Sequence, residues 1–182
     1  MSSPADSRAA TRRIALDGLL VAVALVLSIV ERWIPLELLV PVPGIKLGLA
    51  NVATLFALFR LPLMDTVLLV LVRSLLLGAI TGPTSMLFSL TGGLLALLAM
   101  RLLRPLHGRV LSLYGISMAG AAAHNTGQVA VASLLLGNAG LLSVYLPMLL
   151  LVGIGTGILT GAAAIPVLRR LRAPQPPFPW EP

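Results

Sequence analysis

The chain has no cysteine and little charge: of its 182 residues, 10% are Asp, Glu, Lys or Arg, and six are acidic. Each scarcity excludes something. Without cysteine there are no disulfides, no thiol catalysis and no Cys-based metal site. A soluble domain carries about 25% charged residues, so a soluble surface of this size is excluded too. The six acids stand singly and apart, which leaves no aspartate-rich motif to hold Mg²⁺ against a diphosphate. One histidine within the apolar runs leaves no His/Cys metal set. The chain also lacks a G-x-x-x-x-G-K-[ST] loop, an H-E-x-x-H motif and a nucleophile elbow. It therefore does not hydrolyse ATP by itself, and neither an enzymatic activity nor a cofactor is expected.

What is present is apolar sequence. Hydrophobic residues make up 58%, mean hydropathy is +1.01, and the apolar residues fall in runs near the roughly 20 residues that span a bilayer. This describes an all-α integral membrane bundle. The first run follows Arg12 and Arg13 and superficially resembles a signal peptide. It is too long and reaches Ser28-Ile29-Val30-Glu31 with no small-x-small cleavage site, so it reads as a retained helix. Six transmembrane helices are expected, over about 11–30, 44–60, 62–78, 84–100, 111–136 and 141–168. Residues 1–10 and the Pro-rich 173–182 read as disordered cytoplasmic tails around a transmembrane domain at 11–172.

Six spans place both termini on one side, and the basic residues choose it. Arg8, Arg12, Arg13, Arg60, Arg101, Arg104, Arg109, Arg169, Arg170 and Arg172 fall on one face, against Arg32 and Lys46 on the other, with Arg73 inside helix 3. The positive-inside rule puts both termini in the cytoplasm. The net charge of +7 thus reads as a topology signal rather than as nucleic-acid binding. The pentapeptide SLLLG occurs at 74–78 and 133–137. It fits either duplicated halves or chance in a leucine-rich chain.

The stretch PVPGIKLGLANVATLFALF (41–59) organises the polar residues. Pro41, Pro43 and Gly44 form a stiff, bent approach, and the apolar helix after it carries Lys46 and Asn51 in its first turns. Either residue alone is equally well read as structure: Lys46 snorkelling to headgroups, Asn51 joining helices. Depth decides more than identity. Lys46, Asn51, Arg73, Ser85 and Ser89 fall in the outer half, and His124, Asn125 and Gln128 lie near the middle of helix 5. There Ser117, Gly120, His124 and Gln128 share a stripe, with Asn125 about 100° round. Packing alone would not gather polar groups in one leaflet, so a pocket opening outward is expected. Arg73 requires an anion or several acceptors. Glu31 and Glu37 could fold back to pair with it; otherwise Arg73 and Lys46 await a carboxylate, phosphate or diphosphate. Gly153, Gly157 and Gly161 recur at steps of four on helix 6 and read as a close helix-packing face.

These residues resemble a family. GIKLGLAN (44–51), RSLLLG (73–78), Ser89 with Gly92-Gly93, and HNTGQ (124–128) look like the bacterial Gx transporter family, also known as heptaprenyl diphosphate synthase component I, over about residues 12–170. That family is similar to the S components of energy-coupling factor transporters: six-helix inner-membrane proteins with cytoplasmic termini and an outward pocket. The resemblance implies a substrate-binding subunit for a small, anionic molecule, with a transmembrane coupling subunit and ATPase subunits as partners. It implies a ligand site at Lys46, Asn51, Arg73, Ser89, His124, Asn125 and Gln128. It places the coupling face on helix 1 at Ala15, Gly18 and Ala22, a looser pattern than the family's usual Ala-x-x-x-Ala. The alternative that the synthase name implies is an isoprenoid-pathway protein that binds or helps make a prenyl diphosphate.

Overall fold

The computed structural model describes residues 4–34, 38 and 46–170. Among these the chain is all-α, without a strand. Its helices are α1 (Pro4–Val30), α2 (Asn51–Arg60), α3 (Leu63–Thr81), α4 (Pro83–Leu103), α5 (Leu113–Leu135) and α6 (Gly140–Arg170). Four stretches are long and apolar enough to cross a membrane: Thr11–Trp33, Leu63–Thr81, Pro83–Leu106 and Gly140–Arg170. They mark a multi-pass membrane protein. α5 is of similar length, but His124, Asn125 and Gln128 lower its hydropathy in mid-span.

Two expected boundaries move. α1 starts at Pro4 rather than residue 11, so residues 4–10 are helical and not part of an unfolded tail. Proline costs nothing at the first helical position, and Ala5, Ala9 and Ala10 favour the helix that follows. α2 starts at Asn51 rather than near residue 44, which leaves Lys46 in a non-helical segment instead of a first turn. The cause is Gly48, whose φ of 83° lies outside helical space, and whose carbonyl accepts the Asn51 amide at 2.9 Å to close a tight turn. Pro41, Pro43, Gly44, Glu37 and the 173–182 tail lie outside the described residues.

At ten residues α2 is about 15 Å long, half a hydrocarbon layer. It is apolar on every side and buried, as such a helix must be. All five other helices pack against it. The core it anchors runs from Leu20 and Ala24 of α1 through Leu69 and Val70 of α3 and Leu97 and Met100 of α4 to Ala164 and Leu168 of α6.

Turn chemistry sets the other junctions. Gly82 (φ 99°) followed by Pro83 separates α3 from α4. The Ser112 hydroxyl accepts the Gly115 amide at 3.2 Å and caps α5. Gly137 (φ 61°) turns α5 towards α6. The two SLLLG copies serve different ends: Gly78 lies inside α3 against Met86, whereas Gly137 makes a turn. The most extensive helix pairing is α5 with α6. A Cβ on Gly157 would fall on the Met118 backbone, one on Gly153 would lie 3.0 Å from Asn125 Nδ2, and one on Gly161 3.0 Å from the Tyr114 ring. The glycine face packs as its spacing suggests.

Where α1 begins, charged residues fasten the elements together. Arg13 donates twice to Asp65 on α3, at 2.6 and 2.5 Å. Arg60 at the end of α2 donates to the Leu168 carbonyl on α6. Arg104 lies 5.5 Å over the Phe59 ring, whose edge meets His107.

Candidate functional site: a buried cationic cluster

The opposite end of the bundle gathers polar side chains that the apolar surroundings do not explain. Three short segments supply them. The segment 46–50 leads into α2 and brings Lys46, with Asn51 just inside the helix. Arg73 lies in α3, two turns before its end. His124 and Gln128 lie one turn apart on α5. Relative exposures are 6% for Lys46, 3% for Asn51, 1% for Arg73, 3% for His124 and 0% for Gln128.

Glycines make the cluster possible. A Cβ added to Gly48 would lie 2.9 Å from Asn51 Nδ2 and 2.9 Å from His124 Cδ2. One on Gly92 would lie 2.8 Å from His124 Nδ1, and one on Gly93 2.6 Å from an Arg73 guanidinium nitrogen. The Gly92-Gly93 pair of α4 thus forms a shelf on which the imidazole and the guanidinium rest side by side.

Two side chains hold the segment before α2 in place. Gln128 Oε1 accepts the Lys46 amide at 2.8 Å. Glu31, in the 3₁₀ turn (Glu31–Trp33) after α1, accepts the Gly48 amide with one carboxylate oxygen and the Leu49 amide at 3.2 Å with the other. Glu31 is 2% exposed, and these two backbone bonds are the ones that its buried carboxylate makes among the described residues. The Gln128 bond also fixes the state of His124. Because Oε1 faces the Lys46 amide, the amide nitrogen of Gln128 faces His124 Nε2 at 2.6 Å and donates to it. Nε2 is then an acceptor, so the imidazole is neutral and carries its proton on Nδ1.

Several atoms in the cluster have no partner. Lys46 Nζ, Arg73 Nε, one terminal Arg73 nitrogen and both amide atoms of Asn51 are buried with no hydrogen bond to any of the described residues. Among the described residues no acid lies within 4 Å of Arg73 or Lys46; the ion pair found there is Arg13–Asp65. A buried, unpaired polar atom costs about 1–3 kcal/mol, and more if charged, so such a concentration points to a missing partner.

The other expected residues are placed differently. Ser89 Oγ accepts from the hydroxyl of Ser74, the neighbour of Arg73, at 3.1 Å, and so ties α4 to the guanidinium's helix. Ser85 is buried in the first turn of α4, and no hydrogen bond joins it to the cluster among the described residues. Asn125 turns away: its Nδ2 donates to the Leu149 carbonyl of α6 at 2.6 Å, as the 100° offset from His124 requires. It is a joint between α5 and α6. Ala15, Gly18 and Ala22 are exposed along α1, and nothing lies within 4 Å of a Cβ on Gly18. Beside them a groove of about 260 Å³ runs between α1 and α3, lined by Ile14, Asp17, Gly18, Val21, Asp65 and Leu68 among others.

In the sequence Glu31 reads only as a neutralising partner for Arg73. It enters the cluster without reaching hydrogen-bonding distance of either cation, and it binds backbone instead. An acid directly after an apolar run is the signal that could have placed it. Among the described residues no three His, Asp or Glu side chains come close enough to hold a metal ion.

No curated protein and no solved structure matches the chain. A family model does, over residues 20–166, from the middle of α1 to the last turns of α6. This protein belongs to the family described as heptaprenyl diphosphate synthase component I.

Proposed function

We propose that the chain is the substrate-capture subunit of an uptake system in a bacterial cytoplasmic membrane. It would cross the membrane six times with both termini in the cytoplasm, bind a small anion from outside, and work with separate coupling and ATPase subunits. It performs no covalent chemistry. The observation that carries this reading is the pair Arg73 and Lys46, both buried, both with nitrogens that have no partner among the described residues, and with no acid among those residues in contact. The start of α2 adds to it. A short helix that begins within the membrane directs its positive end at the cluster, and its first amides are already bonded to residues 48–50, so it contributes its dipole rather than free donors. The exposed small residues Ala15, Gly18 and Ala22 fit a close-packed partner helix.

The test is Arg73→Met with Lys46→Met. Hydrogen bonds to charged groups contribute about 1.5–3 kcal/mol, so each change should weaken ligand uptake roughly tenfold to a hundredfold. Uptake of unaltered affinity in the double variant refutes the reading, and a tighter fold with function intact would make both cations structural.

The family name favours a second reading, a membrane protein of isoprenoid synthesis that binds or helps make a prenyl diphosphate. Product formed from isopentenyl diphosphate and Mg²⁺ by the purified chain would select it over transport. The dispersed acids of the sequence favour transport.

A further inference from the structure

Glu31 changes what the cluster can recognise. Two cations alone would suit a diphosphate or a dicarboxylate. The structure adds a carboxylate that is 2% exposed and is held by the Gly48 and Leu49 amides, one on each oxygen. Both oxygens accept hydrogen bonds, as those of an ionised carboxylate do. His124 adds no charge, because it accepts from Gln128 at Nε2. Among the described residues Lys46 and Arg73 are thus opposed by one carboxylate, leaving an excess of a single positive charge in a water-poor setting. There a second ligand charge would meet Glu31 with little screening.

We propose that the site selects a monoanion, of the monocarboxylate or phosphomonoester-monoanion class, and discriminates against diphosphates and dicarboxylates through Glu31. The proposal rests on the reading of the cluster as an anion site and narrows it. Arg73, with two unpartnered nitrogens, takes the anionic group, and Lys46 Nζ approaches it from the α2 side. Asn51, with both its oxygen and its nitrogen unpartnered among the described residues, offers neutral bonds to an uncharged polar part of the same molecule. Glu31 is a positioning and selectivity residue. It holds the segment that carries Lys46 and sets the charge the ligand must have.

The experiment uses the full chain in mild detergent and follows thermal unfolding with three probes at matched ionic strength: butyrate, succinate and pyrophosphate. Butyrate should raise the midpoint of the wild type, and the other two should not. Glu31→Gln removes the opposing charge and should reverse the order, with about tenfold or more gain for pyrophosphate over butyrate. Because Glu31 also anchors a loop, that variant can fail for structural reasons. The order of the three probes on the wild type, which needs no substitution, guards against this; in the double change Glu31→Gln with Lys46→Met, whose excess charge equals that of the wild type, butyrate preference should return. Stabilisation of the wild type by pyrophosphate equal to or above that by butyrate overturns the monoanion proposal and leaves the anion site standing. A Glu31→Gln preference unchanged from wild type does the same. If no probe stabilises the wild type or any variant, the anion reading falls together with the proposal.

Discussion

Gly48 is the residue on which the cluster turns. Its φ of 83° is one that a side chain adopts at a cost of about 1–3 kcal/mol, and its Cα faces Asn51 and His124 with no room for a methyl group. Gly82 offers the control, with φ at 99° but nothing within 4 Å of an added Cβ. Gly48→Ala should lower the unfolding midpoint more than Gly82→Ala and should also displace His124 and weaken ligand binding. Gly82→Ala should leave binding as it was. Equal midpoints for the two variants, with equal binding, would mean that the contacts at Gly48 are slack. The residue scale is also where the sequence was most and least legible. Lys46, Asn51, Arg73, His124 and Gln128 could be grouped by depth, because charge and amide groups inside apolar runs are conspicuous, and the structure brings these five together. Asn125 could not be separated from His124 without knowing which helix flanks α5 on which side. Glu31 could not be placed at all, since the path of the chain after α1 is set by acceptors and donors distant in sequence.

At the scale of the elements, α2 and the α5–α6 pair teach different things. Hydropathy reads apolar residues alike whether they are helical or extended, so it extended α2 back to residue 44; Gly48 and its turn stop the helix at Asn51. The α5–α6 contact was legible because a repeat of glycine at every fourth position has one physical use in an apolar helix. Its consequence is a position-specific contrast. Gly157 lies against the Met118 backbone, which cannot move aside, whereas Gly155 has nothing within 4 Å. Gly157→Ala should therefore part the helices and lower the unfolding midpoint, by an amount of order 1–3 kcal/mol for overpacking. Gly155→Ala should be neutral or slightly stabilising, since alanine favours a helix over glycine. A scan of unfolding midpoints in detergent reads both, and the reverse order would show that α6 presents a different face to α5.

For the whole molecule, the charged residues divide the bundle into two ends of different character. Where α1 begins, cations are paired or capped: Arg13 on Asp65, Arg60 on a carbonyl, Arg104 over Phe59. Where α1 ends, Lys46 Nζ and two of the Arg73 nitrogens are buried with no partner among the described residues. The absence of native cysteine makes the proposed orientation directly measurable. Single substitutions Arg109→Cys, between α4 and α5, and Asn138→Cys, between α5 and α6, should respond oppositely to a membrane-impermeant maleimide applied to intact cells. Asn138→Cys should label, and Arg109→Cys should label only after the membrane is opened. The opposite pattern would invert the bundle and point the cluster at the cytoplasm.

The segment that delivers Lys46 is held by its main chain. Gln128 takes the amide of residue 46, Glu31 takes those of 48 and 49, and the carbonyl of 48 takes that of 51. None of these bonds involves the side chains of Lys46, Leu47 or Leu49. The shape of the cradle is therefore independent of what those three positions display, provided residue 48 stays glycine. These three side chains can therefore be exchanged while the same scaffold is kept, and under the proposed anion-capture reading such exchanges would change which ligand fits.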